Sequence, residues 1–174
     1  MFKYFALLAV SFGMAFWGCA PKEEISVKKV GPTKYVFISC LGNYSKIESV
    51  FGELDKWLAD KEIEPAGAPF GIYYDDPNKV PPDECRYDIC IPISAEIEGD
   101  SLVQIKEIAE MEVASIMHKG AYENVGPSWG KLYGWIFKNK YEPAGPGMEV
   151  YLNSPMEVPE DSLLTEIQVP VKKK

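Results

Sequence analysis

The sequence predicts an α+β fold. It is expected to consist of duplicated β-β-α-β-β halves, with about eight mostly antiparallel strands and two helices on one face. Three observations predict it. First, sliding the chain against itself by 78 residues lays Ile25–Ile93 over Val103–Val171 without a gap, and about 18 of some 69 positions are identical. Second, each copy carries one segment of helical periodicity among several alternating segments. Third, 174 residues with 47% apolar and 13% aromatic content suit one packed domain.

Each copy opens with an alternating run, "ISVKKV" or "LVQIKEI". A β-rich run follows, "KYVFISCLG" or "VASIMHKG", closed by Gly42 or Gly120, where a turn begins. Ile47, Val50, Phe51, Leu54, Trp57 and Leu58 then recur at i, i+3, i+4 and i+7, as do Val125, Trp129, Leu132, Trp135 and Ile136. Pro127 stands near the second helix start, where its missing N–H costs nothing. The repeated "EPAG" at Glu64–Gly67 and Glu142–Gly145 is expected to stop each helix, because proline cannot continue one. Two strands complete each half: "FGIYYD" and "YDICIPI", then "MEVYLN" and "TEIQVPV". Proline-rich loops join them.

The first residues read differently. Phe5–Trp17 is an apolar run too short for a comfortable membrane span and suited to a signal-peptide core. Gly18–Cys19 directly after it resembles a bacterial lipobox; the alternative is an ordinary secretory signal with a chance cysteine. The expected organisation is a lipoprotein signal peptide over 1–18, a tether over 19–24 and one domain over 25–174. Cys19 is then the lipidation site, and the protein is exported and membrane-anchored. Cys40, Cys85 and Cys90 allow at most one internal disulfide, and nothing in their spacing selects the pair. There is no CxxC motif, and His118 is the only histidine, so no metal or other cofactor is expected. The net charge is −8 and basic residues cluster only in the terminal "KKK", which argues against a nucleic-acid partner.

Two helices cover only one face of such a sheet, so the other face is expected to meet solvent, a partner or a ligand. Strand alternation assigns the faces. Ile89, Ile91, Ile93, Ile167, Val169 and Val171 are expected under the helices, leaving Asp88 and Glu166 opposite. Ile72, Tyr74, Val150 and Leu152 are likewise placed inward, and Tyr73, Glu149 and Tyr151 outward. The open face would then carry two tyrosines and two carboxylates related by the duplication. Tyr73 and Tyr151 also suit a structural role. Trp57 and Trp135 read as core, and Trp129 as core or as one wall of the cleft.

The run "GAYENVGPSWGKLYGWI", then "EVYLN" and the terminal "TEIQVPV", resembles the GyrI-like small-molecule-binding family, which includes effector-binding domains of AraC-type and multidrug-sensing regulators. The resemblance covers nearly all of the chain after about Ile25. It implies two pseudo-symmetric halves with a ligand cleft between them and an acidic residue on the last strand at the cleft floor, matched by Glu166. Aromatic residues would stack on a hydrophobic, often cationic, ligand. The expected ligand-binding residues are Glu166, Tyr151, Tyr73, Asp88 and Trp129. The expected function is capture of such a molecule by a stand-alone exported form. The alternatives are a hydrolase of reactive small molecules with Glu166 as acid or base, and a protein-interaction module. Haem binding through His118 is a weaker fourth.

Overall fold

The computed structural model of the chain describes residues 24–174. The expected signal peptide, Cys19 and most of the tether lie outside the described residues. The first half contains β1 (Ser26–Val30), β2 (Thr33–Leu41), α1 (Ile47–Asp60), β3 (Phe70–Tyr73) and β4 (Arg86–Pro92). The second contains β5 (Gln104–Ile108), β6 (Met111–Lys119), α2 (Gly126–Lys138), β7 (Tyr141–Pro143), β8 (Gly147–Tyr151) and β9 (Leu164–Lys173). β1 and β5, and β2 and β6, repeat at the expected 78-residue spacing. The short β7 is an addition. It pairs with the end of β9, and residues 63–65, its counterparts in the first half, form no strand.

The curled antiparallel sheet runs β1-β6-β9-β8-β3-β4-β2-β5, which reads the same from either end once the halves are exchanged. Two features bind the halves together. Their first strands are swapped: β1 pairs with β6 of the second half, and β5 with β2 of the first. At the centre β3 pairs with β8, setting Gly71 opposite Glu149. Those two positions are 78 residues apart, so the pseudo-twofold axis passes through this pair. The outer strands β1 and β5 are largely exposed and carry Lys28, Lys29, Lys106 and Glu107, charges that discourage edge-to-edge pairing.

Each helix packs its apolar stripe on its own half. Val50, Leu54 and Leu58 of α1 meet Ile89, Ile91 and Ile93. Leu132 and Ile136 of α2 meet Ile167, Val169 and Val171. Trp57 and Trp135, expected as core, are only half-buried: Trp57 donates its indole N–H to Asp100 at 2.6 Å, and Trp135 stacks on Tyr141. The face away from the helices is not open at its centre. Tyr35, Phe37, Phe70, Ile72, Cys90, Val113 and Met148 form a third apolar cluster there. That is why β4 and β9 are buried on both faces.

The helices end earlier than the prolines require. Glu62 and Lys140, again 78 residues apart, take positive φ values of 57° and 63°, and this left-handed conformation stops each helix. The EPAG corners have a different task. Ala66 N–H donates to Pro92 and Ala144 N–H to Pro170, both at 2.8 Å, which docks each corner on the last strand of its half. The three cysteines of the domain are free thiols. Among the described residues no helix is long and apolar enough to cross a membrane, and no group of three His, Cys, Asp or Glu side chains is placed to hold a metal ion.

A side chain at positive φ costs about 1–2 kcal/mol, partly offset by the greater chain entropy of glycine. Glu62→Gly and Lys140→Gly are therefore each expected to raise stability by about 0.5 kcal/mol, measured by denaturant unfolding. A loss in both would show that these side chains, not the backbone, hold the corners.

Candidate functional site

The residues expected on one open face separate onto two. Strand partners share a face, and Gly71 pairs with Ile89, Tyr73 with Tyr87, Glu149 with Ile167 and Tyr151 with Thr165. Tyr73, Tyr151 and Glu149 therefore lie on the helix side. Asp88 pairs with Ile72, and Glu166 with Val150, on the side away from the helices. The expected juxtaposition of both tyrosines with both carboxylates is thus corrected. The cause is the third apolar cluster: Ile72 packs within it and Val150 against it, so their hydrophobicity did not mark the helix side.

On the helix side the two halves converge on one acid. Glu149 lies on β8 at the pseudo-twofold axis and is 8% exposed. The indole N–H of Trp129 donates to its Oε1 at 2.7 Å. The Tyr151 hydroxyl donates to its Oε2 at 3.1 Å. The Tyr73 and Tyr151 hydroxyls meet at 2.5 Å. With Tyr151 donating to Glu149, Tyr73 donates to Tyr151, and the duplicated tyrosines form one relay to one carboxylate.

Glycines make the arrangement fit. The Tyr73 ring folds back over Gly71, where a Cβ would lie 2.8 Å from its hydroxyl oxygen. The Trp129 indole covers Gly147, where a Cβ would collide with the ring. Glycine opposite Glu149 also avoids a second carboxylate across the strand pair, where like charges repel.

Rings enclose the acid. Tyr44 packs edge-on against Tyr73 at 5.2 Å, and its counterpart Tyr122 against Tyr151 at 5.4 Å. Phe51 of α1 crosses the axis to meet Tyr151 at 5.6 Å. Trp129 continues the wall along α2 by stacking on Tyr133. His118 anchors the start of α2. Its Nδ1 lies 3.0 Å from Ser128 Oγ and its Nε2 3.2 Å from the Ala121 carbonyl. A carbonyl only accepts, so Nε2 carries a proton and donates to it, while Nδ1 bonds the Ser128 hydroxyl. This seats Ser128 one residue before Trp129, and occupies both nitrogens with a structural task.

Burial pushes the Glu149 carboxyl above its usual range, against the opposing pull of hydrogen bonds from Trp129 and Tyr151 and of the nearby Tyr73 hydroxyl. Burial also pushes the Tyr73 and Tyr151 hydroxyls well up, so both remain donors at neutral pH. The two carboxylates named from the sequence are engaged elsewhere. Glu166 Oε1 pairs with Lys28 Nζ at 2.5 Å and its Oε2 accepts from Gln168 at 2.8 Å. Asp88 accepts from Ser39 and Tyr74, each at 2.7 Å. Trp129, expected as core or as a cleft wall, packs against the apolar cluster under α2 and turns its indole N–H to Glu149.

A curled sheet with one desolvated acid in a ring-lined enclosure between paired halves defines a small-molecule-binding α+β domain. The chain belongs to the GyrI-like small molecule binding domain family, whose model matches residues 23–172. YosT of Bacillus subtilis (strain 168), an SPbeta prophage-derived protein whose name puts it among transcriptional regulators, is 22% identical over 152 residues, 86% of this chain and 99% of that protein. The fold matches EcmrR in its DNA complex (TM-score 0.79, 15% identity, 87% of this chain but only 58% of that one) and its C-terminal domain alone (0.76, 16%, 87% and 98%). It also matches SAV2435 bound to tetraphenylphosphonium (0.58, 14%, 86% and 94%).

A carboxyl with a folded-state pKa above its unfolded value of about 4.3 favours folding when protonated. That contribution is complete below the unfolded pKa and lost as pH rises through the folded one, so Glu149 costs stability at neutral pH. Glu149→Gln is expected to melt higher than the parent near neutral pH, with the gap closing on acidification toward the unfolded pKa. Thermal unfolding across pH reads this; a variant less stable throughout would mean that the hydrogen bonds outweigh burial.

Proposed function

We propose that the domain captures a small lipophilic cation, with Glu149 as its counter-ion and Tyr73, Tyr151, Trp129 and the rings around them as its walls. The observation that carries this is the single buried carboxylate inside an aromatic enclosure. A desolvated acid gains most from a ligand that brings charge without needing water, and a cation with apolar substituents does that. Each ring face adds about 0.5–2 kcal/mol of cation–π attraction. Each Glu149 oxygen keeps acceptor capacity beyond its present hydrogen bond. Rotation of Phe51, Tyr122 and Trp129, which come from the two helical segments, is the movement that admits the ligand. The tetraphenylphosphonium complex of a protein with this fold supports the ligand class.

The sequence favoured Glu166 as the ligand carboxylate, and the proposal moves that role to Glu149. Anchoring is the second part of the proposal. It rests on the apolar run Phe5–Trp17 followed by Gly18–Cys19, and it places the domain outside the cytoplasm on a lipid-modified Cys19.

Calorimetric titration with tetraphenylphosphonium separates the two acids. Glu149→Gln is expected to weaken binding at least tenfold, about 1.4 kcal/mol, and Glu166→Gln to change it less than about twofold. The reverse order would return the site to the last strand. No binding to any lipophilic cation would remove the proposal.

A further inference from the structure

The duplication provides an internal comparison away from Glu149. On the face opposite the helices, the surface at β9 is closed by the Lys28–Glu166 ion pair at 2.5 Å, with Lys28 carried by the swapped β1 and Met117 opposite Glu166; the positions equivalent to Ser39, Tyr74 and Arg86 are there Met117, Leu152 and Leu164. The corresponding positions at β4 are Lys106, carried by the swapped β5, and Asp88, beside Ser39, Tyr74 and Arg86. Here the ion pair is open. Aspartate is one methylene shorter than glutamate, and the Lys106 ammonium lies over the Phe37 ring, 4.4 Å from its centroid. A cavity of about 270 Å³ takes the place of the pair, lined by Ser39, Tyr74, Arg86, Asp88 and Lys106 among others.

The lining has opposite charges with spare capacity. Asp88 is 4% exposed and holds one hydroxyl on each oxygen, from Ser39 and from Tyr74. Each oxygen can accept once more. Among the described residues Asp88 has no cationic partner, and Lys106 has no carboxylate partner. Arg86 is engaged by the Asp75 carboxylate through Nε and Nη2, both at 2.9 Å, so Lys106 is the cation left to meet a ligand. The volume falls just below the roughly 300–1,000 Å³ of pockets for drug-sized molecules, and so suits a smaller, polar one.

We infer that this cavity is a second binding site, for a small zwitterion whose ammonium group meets Asp88 and whose carboxylate meets Lys106. The ligand restores across the cavity the ion pair that is made directly at β9. The site is chemically distinct from the Glu149 enclosure: polar where that one is aromatic, and on the opposite face of the sheet.

The probes are β-alanine, ethylamine and propionate, which carry both charges, the cation alone and the anion alone. Backbone amide resonances of Ser39, Tyr74 and Lys106 are followed by NMR during titration. β-Alanine is expected to shift them saturably, and ethylamine and propionate to bind at least fivefold more weakly. Asp88→Asn, which keeps the hydroxyl acceptors, and Lys106→Met, on an exposed edge strand, should each weaken β-alanine at least fivefold. Both should leave tetraphenylphosphonium binding within twofold, which separates this site from the Glu149 proposal. Three results would overturn the inference: no saturable shift at tens of millimolar, ethylamine or propionate binding as well as β-alanine, or both variants binding as the parent does.

Discussion

Everything in the central site depends on one cross-strand pair, Gly71 opposite Glu149, where β3 and β8 join the two halves. On a pseudo-twofold axis any side chain meets its own duplicate. Two glutamates there would place like charges across a strand pair in a desolvated space. A glycine on one side leaves a single carboxylate and room for the Tyr73 ring. The duplicated tyrosines then both serve the same acid, one directly and one through the other. Symmetry supplies the enclosure, and its breakage supplies the charge.

Much of the scaffold was legible because the duplication gave the register. The period of 78 residues placed both helices, the Gly42 and Gly120 turns and the order of elements along the chain, since all of these rest on local pattern and recur. Glu62 and Lys140 were missed as helix stops because a left-handed residue needs no special side chain, whereas the prolines after them carry an obvious signal. The first-strand swap was not legible, because β1 and β5 have the same alternating pattern whichever half they join.

The central site was legible in composition but not in facing. Tyr73, Tyr151 and Trp129 do gather, and the acid among them is Glu149 in place of Glu166. Alternation tells which residues share a face of one strand. It does not tell which face is the helix side when both are apolar, as they are around Ile72 and Val150. One signal could have resolved it. Gly71 is the duplicate of Glu149, and a glycine within a strand marks a close approach from another group. The later strands drew attention for the opposite reason: Asp88 and Glu166 are conspicuous in an otherwise apolar run, yet both lie on the far face, away from the tyrosines.

The energetic design follows from the same pair. A buried acid is costly, and Trp129, Tyr151 and Tyr73 lower that cost without removing it. What remains is, in the proposed function, the driving force for a cation. The most direct measurement is a titration of the Glu149 carboxyl carbon by NMR, with and without tetraphenylphosphonium. The account predicts an apparent pKa above the ordinary glutamate range in the free protein, falling when the cation binds. An ordinary value in the free protein, unchanged by the cation, would contradict it.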